Sequence, residues 1–192
     1  SKLPIRILKW IAGVFAIILI SVSVFVIGCR NVNYIKHYQM IDHGVDEAAY
    51  VTLGDQEQYV LMRGMNNENP VIIYLHGGPS SPDTYVTYGF TDYLIDDYTI
   101  IAWDQRGCGR TYFHNMEGDP ENTMTSYEQA QEDLDDLVDY ALERFEKEKV
   151  IIMGHSYGTI LGSEYALAHP DKVSACIGVA QVVSLEKSDI YS

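Results

Sequence analysis

The chain has 192 residues, 47% of them hydrophobic and 21% charged, which suits one domain with a sizeable core and argues against intrinsic disorder. Its net charge of −14, with no basic stripe, excludes a nucleic-acid-binding function, because a phosphate backbone would be repelled. The three cysteines, Cys29, Cys108 and Cys176, fit no metal-binding spacing, and their odd number argues against a disulfide framework. Cys176 falls in an apolar strand and reads as core.

In chain order, Lys2, Arg6 and Lys9 precede a run from Trp10 to Gly28 without a charge, long enough to cross a bilayer as one helix. The cations before it predict an amino terminus inside and the remainder outside the cytoplasm. Residues 1–29 read as an uncleaved anchor, or as a lipoprotein signal in which Val26-Ile27-Gly28-Cys29 would make Cys29 the lipidated residue. Residues 30–49 read as a polar juxtamembrane linker, and residues 50–192 as the catalytic part. Tyr50–Leu53 and Gln58–Met62 are expected strands of a hairpin turned by Gly54-Asp55-Gln56-Glu57. Val71–Leu75 and Thr99–Trp103 are continuous apolar runs of the kind found in strands covered on both faces. Thr125 and Glu128 form an expected capping box before a helix with apolar residues at Ala130, Leu134, Leu137, Val138, Ala141, Leu142 and Phe145. Its acids Glu132, Asp133, Asp135, Asp136 and Asp139 are read as a solvated face, and no metal site is expected. A strand from Lys149 to Met153 and a helix from Thr159 to His169 follow, then a strand from Val173 to Val183. Strands alternating with helices predict an α/β fold with a doubly wound, mostly parallel sheet.

The chemistry gathers where three strands end. Val150 to Met153 runs into Gly154-His155-Ser156-Tyr157-Gly158, a G-x-S-x-G turn between strand and helix. That setting strains Ser156, exposes its hydroxyl above the sheet and aims the first amides of the next helix at whatever the hydroxyl attacks. Ser156 is therefore the candidate nucleophile. The amide of Tyr157 and that of Gly78 are candidate oxyanion donors, with Gly77 the second choice in the loop His76-Gly77-Gly78-Pro79. His76 is expected to brace this loop. Asp104 and Arg106, in Asp104-Gln105-Arg106-Gly107, are expected to form an internal ion pair supporting the site.

These three motifs resemble the α/β-hydrolase superfamily and, more narrowly, the prolyl iminopeptidase group of serine peptidases. The resemblance covers about residues 50–183. Asp104-Gln105-Arg106-Gly107-Cys108-Gly109-Arg110 is its most discriminating piece. Ser80, Tyr157 and Thr111 depart from the group, where Gly, Trp and Ser are usual. The resemblance implies a small peptide as substrate, no cofactor and a Ser–Asp–His triad in that chain order. Asp189 lies too close to the last strand to be placed as the acid, and His37, His43, His114, His155 and His169 are all poorly placed for the base. The chain is therefore expected to be the amino-terminal part of a hydrolase, with lid, last strands and Asp/His half beyond it and little activity by itself. An esterase or lipase using the same Ser156, and a non-catalytic tethered domain, are the alternatives. Epoxide hydrolases and dehalogenases place Asp where this chain has Ser156.

Overall fold

The computed structural model describes residues 4–183. The chain divides between Gln39 and Met40 into two compact units. A single helix, α1 (Ile5–His43), makes up the first and reaches into the second. Its stretch from Ile5 to Ile35 contains an 18-residue window with a mean hydropathy of 2.8, no part of which is buried in protein. At 1.5 Å per residue its length is about 46 Å, enough for a hydrocarbon layer of about 30 Å. The expected linker is not one. No Pro or Gly interrupts residues 29–43, so the helix continues until Gly44, where a Cβ would strike the Gly64 carbonyl.

The second unit is built on β1 (Val45–Leu53), β2 (Gln56–Gly64), β3 (Val71–Leu75), α2 (Tyr88–Thr91) and β4 (Thr99–Trp103). They are followed by α3 (Gly109–Asn115), α4 (Tyr127–Arg144), β5 (Val150–His155), α5 (Tyr157–Ala168) and β6 (Val173–Val179). β1 starts five positions before Tyr50, and Leu53 pairs with Gln56, leaving a two-residue turn in which Gly54 takes φ 60°.

The six strands lie in the order β1-β2-β4-β3-β5-β6. β3, β4, β5 and β6 are mutually parallel where they pair, whereas β1–β2 and β2–β4 are antiparallel. All five residues of β3 and of β4 are buried, and period two explains it. Val71, Ile73 and Leu75 join the Leu134, Leu137, Val138 and Ala141 stripe of α4 on one face, while Ile72 and Tyr74 join Ile95 and Ile100 on the other. β6 differs. Beyond Val173 its residues are exposed, because it is the outermost strand, so Cys176 is exposed and not core.

Two details of α4 also correct the sequence reading. Its N-cap is Ser126, one residue later than expected, whose hydroxyl accepts from the Gln129 amide at 3.1 Å. Its acids are not one solvated face. Asp133 is fully buried, and Asp135 accepts from Tyr165 Oη at 2.6 Å and Lys172 Nζ at 2.7 Å.

Candidate active site

The parallel neighbours β4, β3 and β5 end along one edge, and the three motifs begin there. Ser156 follows β5 directly, with φ 50° and ψ −116°, a region that costs a non-glycine residue about 1–3 kcal/mol and needs strong constraint from its surroundings. The constraint is visible. A Cβ on Gly154 would strike the Gly158 carbonyl, and one on Gly158 would strike the Leu75 carbonyl and sit 2.8 Å from that of His76. Strand, turn and helix can approach this closely only with glycine at both places. The Ser156 amide donates to Val179 O at 2.9 Å, and Thr159 Oγ1 donates to Ser156 O at 2.6 Å. The Ser156 hydroxyl makes no capping bond to its own helix.

The loop after β3 passes beside this serine. A Cβ on Gly77 would lie 3.2 Å from both Ser156 Cβ and His155 Nδ1. Gly78 takes φ 127°, a conformation open to glycine, and the Gly78–Pro79 bond is cis. Ser80, where the resembled group has glycine, is held at φ 65°. Among the described residues, neither the Gly78 amide nor the Tyr157 amide is matched with an acceptor. Both are therefore free to donate.

His76 is completely buried. Its Nδ1 lies 2.8 Å from Gly77 O, and its Nε2 accepts from the Gln105 amide at 3.3 Å. These partners fix a neutral ring protonated at Nδ1 and leave neither nitrogen for proton transfer. Burial lowers its pKa from the ordinary 6.5. The unfolded chain then binds the proton more readily than the folded one, so stability falls as pH drops below about 6.5 towards the lowered value. Urea unfolding in detergent at a series of pH values should show this loss in the wild type, and His76→Asn should flatten it. An unchanged slope in the variant would contradict the assignment. Asp55 and Asp135, also lowered, titrate below their ordinary 3.8 and leave this window clear.

The loop after β4 is assembled differently from expectation. Asp104 and Arg106 do not pair with each other. Asp104, buried, accepts from Thr84 Oγ1 at 2.6 Å and from the Arg110 amide at 2.9 Å, so it ties down the start of α3. Gly109, at φ 55°, leaves room for that carboxylate. Arg106 turns the opposite way, towards α4 and the β1–β2 turn. Its Nε and Nη2 reach the two oxygens of Asp133 at 2.7 and 2.8 Å, and its Nη1 reaches Asp55 at 2.7 Å. Residues 104–107 lie past the end of β4, so strand alternation does not set their directions, and each side chain goes to the partner its own loop position brings near. Thr111, where the group has Ser, supplies the hydroxyl that accepts from the Tyr59 amide at 2.9 Å and donates to the Asp104 carbonyl. Burial pushes the Cys108 thiol up to about 12, so it stays protonated beside His76.

A cavity of about 250 Å³ opens between these loops, walled by Pro79, Ser80, Gln105, Tyr127 and Tyr157. Of the remaining histidines whose side chains are described, His114 pairs with Glu57 at 2.8 Å, His169 stacks on Tyr165, and His43 lies 3.3 Å from Asp42. His114 lies in α3 and His43 in α1. Asp189 lies outside the described residues. Among those residues no group of three or more His, Cys, Asp or Glu side chains could hold a metal ion.

The α/β hydrolase fold family matches residues 70–190. A probable aminopeptidase of Bacillus subtilis, YbaC, is 29% identical over 134 residues, which are 70% of this chain and 41% of that protein. The proline iminopeptidase of Neisseria gonorrhoeae is 28% identical over 130 residues, 68% of this chain and 38% of its own. Among solved structures, a proline iminopeptidase-related protein from Thermus thermophilus superposes with a TM-score of 0.57 at 28% identity, covering 70% of this chain and 44% of the other. A laboratory-evolved variant of a potato epoxide hydrolase superposes at 0.56 with 26% identity, covering 72% and 40%. The chain thus spans about two fifths of the length of the curated relatives it matches.

Proposed function

The chain belongs to the α/β hydrolase fold family, and from that premise we propose that the protein acts as a serine aminopeptidase of the prolyl iminopeptidase type, held at a membrane by α1. The observation that carries this reading is Ser156 on its strained turn, hydroxyl uncommitted, between two unmatched amides. Ser156 Oγ attacks the carbonyl of the amino-terminal residue while a base takes its proton, and the amides of Gly78 and Tyr157 hold the resulting oxyanion. The base returns that proton to the leaving nitrogen as the tetrahedral species collapses, the rest of the peptide departs as the amine, and water then hydrolyses the acyl ester on Ser156. His76 and Gly77 hold the oxyanion loop in place, and Asp104 and Arg106 hold the loop beside it. In the resembled group the acid and base of the triad follow the serine in the chain, and they are to be sought outside residues 4–183. The relatives named as aminopeptidases support the substrate class. The cations Arg6 and Lys9 before the apolar stretch support an amino terminus inside and the hydrolase unit outside the cytoplasm.

Structural neighbours that open epoxides raise a second reading. The nucleophile decides against it. A carboxylate opening an epoxide leaves an ester that water can cleave, whereas Ser156 would leave an ether and stop the cycle. Ester hydrolysis uses the same chemistry as peptide hydrolysis and is separated only by substrate. The native protein should release β-naphthylamine from proline-β-naphthylamide more readily than it cleaves short acyl esters. Good esterase activity without prolyl-amide turnover would remove the peptidase assignment.

A further inference from the structure

We propose that Thr159 is a positioning residue for the oxyanion hole: its hydroxyl holds the peptide plane between Ser156 and Tyr157 and so aims the Tyr157 amide at the carbonyl oxygen under attack. The inference rests on the reading of Ser156 as the nucleophile and names the side chain on which its oxyanion donor depends.

The Ser156 carbonyl and the Tyr157 amide belong to one planar peptide unit, in which C=O and N–H point in opposite directions. Whatever fixes the carbonyl therefore fixes the donor. Thr159 binds that carbonyl twice, its amide donating to Ser156 O at 2.9 Å and its Oγ1 at 2.6 Å. The hydroxyl is in turn held from outside the helix, because it accepts from the Val182 amide at 3.1 Å. Thr159 is 2% exposed, so these bonds are made away from solvent, where they are stronger than in water.

A threonine in a helix often donates to the carbonyl three or four residues earlier, and that bond alone would mean little. Ser163, one turn further along α5, shows the ordinary case, its Oγ donating to Ile160 O at 3.2 Å. Thr159 differs in what its bond holds and in what holds it. Its acceptor is the carbonyl of a residue kept at φ 50° and ψ −116°, a conformation that relaxes unless its surroundings constrain it. Its second partner lies 23 positions on, past the end of β6. The same segment reaches Ser156 from the other side, where Val179 O accepts from the Ser156 amide at 2.9 Å. Ala180, at φ 50°, turns the chain so that Val182 comes back to the first turn of α5. Residues 179–182 thus hold the nucleophile's backbone at both groups, directly at its amide and through the Thr159 hydroxyl at its carbonyl.

The oxyanion exists only after attack, so a badly aimed donor should lower kcat and leave KM alone. In the native protein, Thr159→Val keeps the shape and removes the hydroxyl. It should lower kcat for proline-β-naphthylamide about 10- to 50-fold, less than the roughly 10²- to 10³-fold that losing a donor outright costs. KM should stay within about twofold. Labelling of Ser156 by a fluorophosphonate, whose phosphoryl oxygen enters the same hole, should slow by a similar factor. Thr159→Ser, which keeps the hydroxyl, should restore both rates. If Thr159→Val does not fold, Thr159→Ala provides the same comparison. Unchanged kcat and labelling rate without the hydroxyl, a loss that serine does not restore, or a change confined to KM would overturn the assignment. A wild type labelled at Ser156 that leaves the prolyl amide intact would show that the peptidase reading had failed, while the labelling rates would still decide the role of Thr159.

Discussion

Ser156→Ala should reduce kcat/KM for proline-β-naphthylamide by roughly 10⁴- to 10⁶-fold, because the acyl-enzyme cannot form and only binding and oxyanion stabilisation remain. The loss should fall on kcat, since Ser156 Oγ contributes to the transition state far more than to substrate binding. The fold should survive. The hydroxyl makes no capping bond to α5, and alanine meets the same backbone conformation that serine does. A fluorophosphonate should label the wild type on the peptide containing Ser156 and leave the variant unlabelled. Retention of more than a few per cent of activity, with labelling at another residue, would mean that the turn at 154–158 is only a scaffold.

Much of this site was legible before the structure, and particular residues show why. Gly154 and Gly158 mark a strand-to-helix turn that no residue with a side chain permits, so the local pattern determines the backbone. The apolar runs at 71–75 and 99–103 are bounded by polar turns and could be placed to the residue. The ion pairs were not legible, because partner choice depends on where elements 27 or 51 positions apart come to lie. One signal was available. Asp133 stands three residues after Ala130 and four before Leu137, on the apolar stripe itself, and an acid in that position implies a buried cation. The start of β1 and the length of α1 were missed for another reason. Residues 30–43 are polar without being helix-breaking, and polarity alone was read as a linker.

The other large effect is expected at Arg106 and Asp133. Asp133 is inaccessible to solvent and holds Arg106 through two parallel bonds, while Gln129 Nε2 donates to it at 3.2 Å. Asp133 hydrogen-bonding raises the pKa of Arg106 first, with burial opposing and Asp55 adding, so the guanidinium stays charged throughout the accessible range. Asp133→Ala would strand that charge in the interior and should cost about 3–5 kcal/mol. Against a total of about 5–15 kcal/mol this is a large share, lowering the melting temperature by about 10 °C. Asp55 reaches the same guanidinium from solvent, with its side chain 61% exposed, so Asp55→Ala should cost less than about 1 kcal/mol. The pair of substitutions Arg106→Met with Asp133→Leu should recover much of what Asp133→Ala loses, because an apolar pair leaves no charge unmatched. Thermal unfolding in detergent separates these outcomes. Equal losses for Asp55→Ala and Asp133→Ala would mean that the charge is stabilised mainly from the turn at Gly54. The loop carrying Gln105 would then be anchored to the edge hairpin and not to α4.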